Sequence, residues 1–369
     1  GLRAWGFGPG AWGFGYGDCR DATREQGSPR PPACTLPPPA SKLLPPARIA
    51  IPVDVRPVRY DPLCMRRVLL ELEYYGKGFF GWQRQGPNRT VQATVEVAVA
   101  DLVGTLVSVQ SAGRTDRGVH ALAMPAHVDI DSRLEPRELL PALNHRLPRD
   151  VAVKRVRDVD PRFHARFDAL AKTYRYTILN TRARSPMLGD RAHQVPRPLD
   201  LDDMLEAAAM LVGKHDFASF RTNPEEGPEA GPEADAEDGP DDAEQPETTA
   251  DLYGPAAVQH GDFTPPPWRK PRPTGTVRTI FGASVYPKDG LLLLELRGDG
   301  FLRGMVRAVA GSLVEVGLGK RPPGWIRDLL QLRDRREAGA NLPPHGLTLL
   351  GVDYPAEPFE GRADSYGSA

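Results

Sequence analysis

Val277-Arg278-Thr279-Ile280-Phe281-Gly282-Ala283-Ser284-Val285-Tyr286 is followed, after Pro287-Lys288-Asp289-Gly290, by Leu291-Leu292-Leu293-Leu294-Glu295-Leu296. Two strand-length segments with no helix between them pair antiparallel, because a parallel pair needs a long crossover. The same grammar runs outward in both directions. Upstream, Val68-Leu69-Leu70-Glu71-Leu72-Glu73-Tyr74-Tyr75 reads as a half-buried strand. Val91, Val95, Ala98 and Leu102 then recur at helical spacing, with Thr90 placed to cap them. Strands are expected at Thr105–Ser111, Ala126–Ile130 and Val151–Val156, with a helix at Pro136–Leu143. The second half gives a strand at Lys172–Leu179 and a helix at Leu201–Leu211 before the quoted pair. Helices at Gly304–Val316 and near Pro323–Leu330 follow it, then a closing strand at Leu347–Tyr354. Mixed helices and adjacent strand pairs indicate an α+β protein with antiparallel sheet, not a doubly wound one. Two similar α+β halves are visible, without a sequence repeat that would establish duplication.

Residues 1–64 hold twelve Pro and eight Gly and no sustained periodicity, so they read as a disordered leader. Met65, directly before the first clean strand, reads as a natural start; an organellar targeting peptide is the other reading of the leader. Residues 65–168 form the first half and 169–369 the second. An acidic, Pro- and Gly-rich insertion at about 222–274 interrupts the second half and reads as a disordered tether. Cys19, Cys34 and Cys64 all fall in the leader, so thiol catalysis, Cys-based zinc sites and a disulfide framework are excluded from the rest. That is consistent with a cytoplasmic protein. No apolar run approaches the roughly 18 residues that span a bilayer, and no membrane partner is expected.

The net charge of −1 hides a segregation. Between Thr222 and Asp251 there are twelve Asp and Glu and no Lys or Arg, while residues 1–64 carry +3, which leaves +8 on the remainder. A basic body of that kind suits a polyanionic partner, because each phosphate it neutralises releases counterions.

The polar turn Arg114-Thr115-Asp116-Arg117-Gly118 lies between two expected strands. Gly113 and Gly118 bracket Asp116 and permit a tight backbone and a closely approaching ligand. Arg114 and Arg117 flank it, favouring an ionised, nucleophilic carboxylate and offering two guanidinium groups to phosphates. Tyr174 and Tyr176 share one face of a strand, either packing in the core or stacking on an extruded base. Arg303 and Arg307, four apart on a helix, face either solvent or a buried partner such as Asp116. Trp82 with Arg84, and Arg162-Phe163-His164-Ala165-Arg166, interleave aromatic and basic groups in a loose RNA-binding pattern. The histidines, among them His120, His127, His145 and His164, form no HxH or HExxH spacing and are read as structural or phosphate-contacting; no metal is expected.

Taken in order, several runs resemble TruA-type tRNA pseudouridine synthases. They are Gly81-Trp82-Gln83-Arg84-Gln85, Gly113-Arg114-Thr115-Asp116 through His120, Phe163-His164-Ala165-Arg166-Phe167, Tyr174-Arg175-Tyr176, Asp216-Phe217, Ser219-Phe220-Arg221, and Met305-Val306-Arg307 through Leu313. The resemblance covers roughly Arg66 to Pro355. It implies two α+β halves around a central antiparallel sheet, with the active site in the cleft between them. It implies that Asp116 is the catalytic aspartate, Tyr174 the base-stacking tyrosine and Arg307 the aspartate's basic partner, with Arg114 helping to extrude the target nucleotide. It further implies a cofactor-free homodimer that grips tRNA and isomerises uridines 38, 39 and 40 of the anticodon arm. Arg117 stands where an alanine is usual, Arg303-Gly304 replaces a differently built pair, and the leader and the long insertion are additions. Two rival classes remain. A glycoside or nucleoside hydrolase needs a second positioned acid, and none stands near the matched runs. A catalytically silent RNA-binding module would not need Asp116, Tyr174 and Arg307 together.

Overall fold

The computed structural model describes residues 65–222 and 265–366. The leader and most of the acidic insertion therefore lie outside the described residues.

Ten strands form one largely antiparallel sheet. In chain order they are β1 (Met65–Tyr74), β2 (Gln110–Ser111), β3 (His120–Asp131), β4 (Val151–Asp158), β5 (Ala171–Leu179), β6 (His193–Gln194), β7 (Gly213–Asp216), β8 (Val277–Lys288), β9 (Leu291–Gly298) and β10 (Leu347–Asp353). Across the sheet the order is β4-β1-β3-β10-β5-β9-β8-β7, with β2 on β3 and β6 on β5. The helices are α1 (Val91–Val103), α2 (Pro136–Arg146), α3 (Leu201–Ala209), α4 (Met305–Gly317) and α5 (Trp325–Leu332).

The first half supplies β4-β1-β3, and the second supplies β10-β5-β9-β8-β7. They meet where β10 runs parallel to β3, with Thr348 opposite His120 and Leu349 opposite Ala121. The quoted strand pair is the β8–β9 hairpin. Asp289 (φ 51°) and Gly290 (φ 77°) give its turn the two left-handed residues that match strand twist.

Val68, Leu70, Leu72 and Tyr74 of β1 alternate into the main core, where Val95 and Val99 of α1 and Leu139 and Leu143 of α2 cover them. In the second half Tyr174, Tyr176 and Ile178 of β5 share that core with Met204 of α3, Val309 and Leu313 of α4, and Ile326 and Leu329 of α5. Leu69, pointing the other way from β1, joins Val159, Phe163 and Ala165 in a smaller cluster. The Thr90 side chain caps α1, accepting from the Ala93 N–H at 3.4 Å.

Several expectations need correcting. The strand expected over Thr105–Ser111 shrinks to Gln110–Ser111, because only those two residues find partners, at His127 and Ala126. The short strands β6 and β7 carry too few residues to show a period, and their pairing is purely tertiary. Within the end of the expected tether, Arg269 is anchored, its Nε donating to the buried Asp168 carboxylate at 2.5 Å.

Candidate active site

The loop from Ala112 to Val119 is held from three sides. The Ala112 N–H donates to Pro125 O of β3 at 2.8 Å, and the Trp82 N–H donates to Thr115 O at 3.0 Å. The Thr115 and Tyr74 hydroxyls share a 2.8 Å hydrogen bond inside the core. Gly81 explains part of the Gly-Trp-Gln-Arg-Gln run. Its φ is +93°, and a Cβ there would stand 2.6 Å from Thr115 O, so a side chain would push the loop away.

His120 closes the loop. The Gly76 N–H donates to its Nδ1 at 2.9 Å, so Nε2 carries the proton and donates to Asp190 O, also at 2.9 Å. Burial lowers its pKa and keeps the ring in that neutral form.

Asp116 projects from this frame toward the N-terminus of α4. Arg307 Nη1 reaches its Oδ2 at 3.4 Å; the aspartate side chain is 32% exposed and the arginine side chain 12%. Arg307 is itself anchored, since its Nε donates to Leu342 O at 2.7 Å and its own carbonyl accepts from the Leu342 N–H at 3.2 Å. The guanidinium is thus aimed by the backbone as well as by charge. The expected helical pair of arginines is not formed: α4 begins at Met305, after a left-handed Gly304, so Arg303 lies before the helix, where its carbonyl accepts from the Thr222 N–H at 3.0 Å, while Arg307, on the helix, pairs with Asp116.

Tyr174 packs as a core residue and lies within electrostatic reach of Asp116. It is 8% exposed and edge-on to Phe301 at 5.2 Å, as a core residue would be. Burial pushes its hydroxyl pKa up, and the Asp116 carboxylate adds to that push, so it also borders the site. Tyr176, on the same face, donates to Pro343 O at 2.8 Å and is packing. Arg175 points the other way, to Glu295 at 2.6 Å. Arg114 is exposed two residues before Asp116, and Arg117 is exposed with its guanidinium 4.3 Å over the Phe80 ring.

The loose aromatic–basic pattern is largely a packing pattern. Trp82 and Phe163 are buried, and neither presents a face to a base. His127 and His164 lie 4.6 Å apart in the interior, where burial depresses both pKa values well below the ordinary value.

The structure brings three of the singled-out side chains near one another: Asp116 pairs with Arg307, and the Asp116 charge acts on Tyr174. The family described as tRNA pseudouridine synthase matches this chain at residues 72–168 and 262–355. The tRNA pseudouridine synthase A of Thermus thermophilus is 41% identical over 79% of this chain and 98% of its own length. That of Methylococcus capsulatus is 38% identical over 79% of this chain and 90% of its own. The chain belongs to the tRNA pseudouridine synthase family. A third relative, the tRNA pseudouridine synthase A of a Geobacter species, is 36% identical along its full length. The expected fold of this family, two α+β halves on a largely antiparallel sheet, is the one observed. Membership also brings the class of the reaction, an isomerisation.

Sequence reasoning about this family member passed over Tyr74, whose hydroxyl steadies Thr115, and Phe301, which packs against Tyr174. It also passed over Lys172, two residues before Tyr174 on β5. The alternation of β5 placed Lys172 on the Tyr174 face, but nothing in the spacing shows what surrounds it.

Proposed function

We propose that the protein isomerises uridine to pseudouridine in the anticodon stem-loop of tRNA, with uridines 38, 39 and 40 as targets, and that Asp116 is its catalytic carboxylate. The observation that carries this is the Asp116–Arg307 pair beside Tyr174, assembled from both halves of the sheet in a member of this family. The reaction breaks C1′–N1 and forms C1′–C5. The hydrogen on C5 is lost and N1 gains one, so atoms and electrons balance with no external co-reactant. Asp116 acts on the flipped nucleotide, as nucleophile at C1′ or as base at C2′. Tyr174 borders the detached uracil, Arg307 aims the carboxylate, and Arg114, exposed at the rim, assists extrusion and meets phosphate. A homodimer working in the cytoplasm completes the proposal.

The test is the Asp116→Ala protein, with its fold checked, incubated with tRNA carrying tritium at uridine C5. Release should drop to background, and undiminished release overturns the assignment. Mapping pseudouridine in that tRNA tests the choice of positions separately.

A further inference from the structure

We propose that Lys172, set among Arg166, Arg272 and Arg278, holds a backbone phosphate of the RNA at the nucleotide being modified or its immediate neighbour. The inference rests on the tRNA reading above and adds a positioning residue to it.

Lys172 and Tyr174 lie on the same face of β5, about 7 Å apart along the strand. That separation suits one nucleotide reaching from a base near Tyr174 to its own backbone. The Lys172 ammonium is turned against the Asp116 loop. A Cβ on Gly113 would stand 2.9 Å from Lys172 Nζ, so the missing side chain at Gly113 is what lets the cation come this close.

Three guanidinium groups lie near enough to act on the Lys172 ammonium. Among the described residues Lys172 has no carboxylate or other hydrogen-bond partner. Its strand neighbours are Gly298 on β9 and Val352 on β10, which bring no charge. Asp168, on the same segment as Arg166, is tied to Arg269 at 2.5 Å. The charges that act on the ammonium are Arg272, Arg166 and Arg278. Arg278 is fixed, its Nη1 donating to Gly275 O at 2.7 Å and Val277 O at 2.8 Å. Burial first, and these three arginines after it, bring the Lys172 pKa down to about 7. A desolvated ammonium facing guanidinium groups is uphill on its own, and an arriving anion reverses the balance. The anion this family's substrate brings is a phosphodiester. A lysine meets it as a compact point charge, which suits the narrow space beside Gly113.

The experiment compares full-length wild-type, Lys172→Met and Lys172→Arg proteins by their Kd for unmodified tRNA across a series of KCl concentrations. Lys172→Met should bind about tenfold more weakly at low salt. Its plot of log Kd against log salt should be shallower by roughly 0.7 to 1. Turnover at saturating tRNA should stay within a few-fold of wild type, and Lys172→Arg should keep the wild-type slope. A Met variant with the wild-type slope overturns the proposal. So does a fall in kcat at unchanged Kd, which would place Lys172 in the chemistry instead. A measurement on the unaltered protein guards against a variant that fails to fold: tRNA should protect Lys172 from amine acylation, and unprotected modification also overturns the proposal. The readouts are binding and protection, so a failure of the Asp116 assignment leaves them interpretable.

Discussion

Replacing Arg307 by Met removes the guanidinium and keeps most of the aliphatic bulk on α4. Two unit charges 3.4 Å apart, as Arg307 Nη1 and Asp116 Oδ2 are, attract by about 5 kcal/mol at an effective dielectric near 20. Water reaches Asp116, whose side chain is 32% exposed while that of Arg307 is 12% exposed, which puts the loss between the roughly 1 kcal/mol of an exposed pair and the roughly 3–5 kcal/mol of a broken buried one, at about 2 kcal/mol. At about 1.4 kcal/mol per decade that is a kcat reduced roughly 30-fold. The loss should fall on kcat more than on KM, because the arginine aims the carboxylate from the protein side. Arg307→Lys should be intermediate: it keeps a charge and loses the fork that holds Leu342 O and Asp116 together. Tritium release from C5-labelled tRNA at saturating substrate reads this directly, with melting curves to confirm that α4 still packs. A methionine variant at full kcat would refute the reasoning, since the pair could then be neither an orienting nor an electrostatic device.

Two further outcomes are open to measurement. Gly81→Ala should destabilise the protein by about 1–3 kcal/mol, because a Cβ would be forced to φ +93° and to 2.6 Å from Thr115 O; denaturant midpoints would show it, and an unchanged midpoint would mean that the loop yields freely. Stability should also fall on acidification. His127 and His164 are held neutral by burial, with pKa values well below 6.5. Below about pH 6.5 the unfolded chain takes up protons that the folded protein refuses. The stability present above that pH is therefore lost as pH falls toward the folded values, at up to about 1.4 kcal/mol per pH unit for each histidine. Urea midpoints at pH 7.5 and 5.5 measure this, and a flat profile counts against the neutral interior pair.

The parts legible in the sequence are those governed by local chemistry. Thr90 before a helical period, the alternation of β1 and β5, and the β8–β9 hairpin each follow from spacing over a few residues, and all are observed. Asp116 was singled out by its glycines and flanking arginines, and its partner came from the order of the motifs. What stayed hidden depends on distance through space. Gly213–Asp216 becomes a strand because Ile280 and its neighbours offer an edge. Residues 265–274 sit at the end of an acidic stretch, yet Arg269 is claimed by a carboxylate about a hundred positions earlier. Trp82 beside Arg84 resembled a base-stacking pair, whereas the ring is spent on the core under the Asp116 loop.

The strand ladder at the junction of β3 and β10 is only two residue pairs long, although one core runs beneath it, and it bears on what becomes of the site if the two flanks part. Asp116 travels with the strands on one side of that junction, and Tyr174 and Arg307 with those on the other. A parting there would unmake the site while each flank kept its own hairpins and helices. The chemistry is in effect written across a fold line, so the first opening to matter is the one that separates the carboxylate from the groups that aim it.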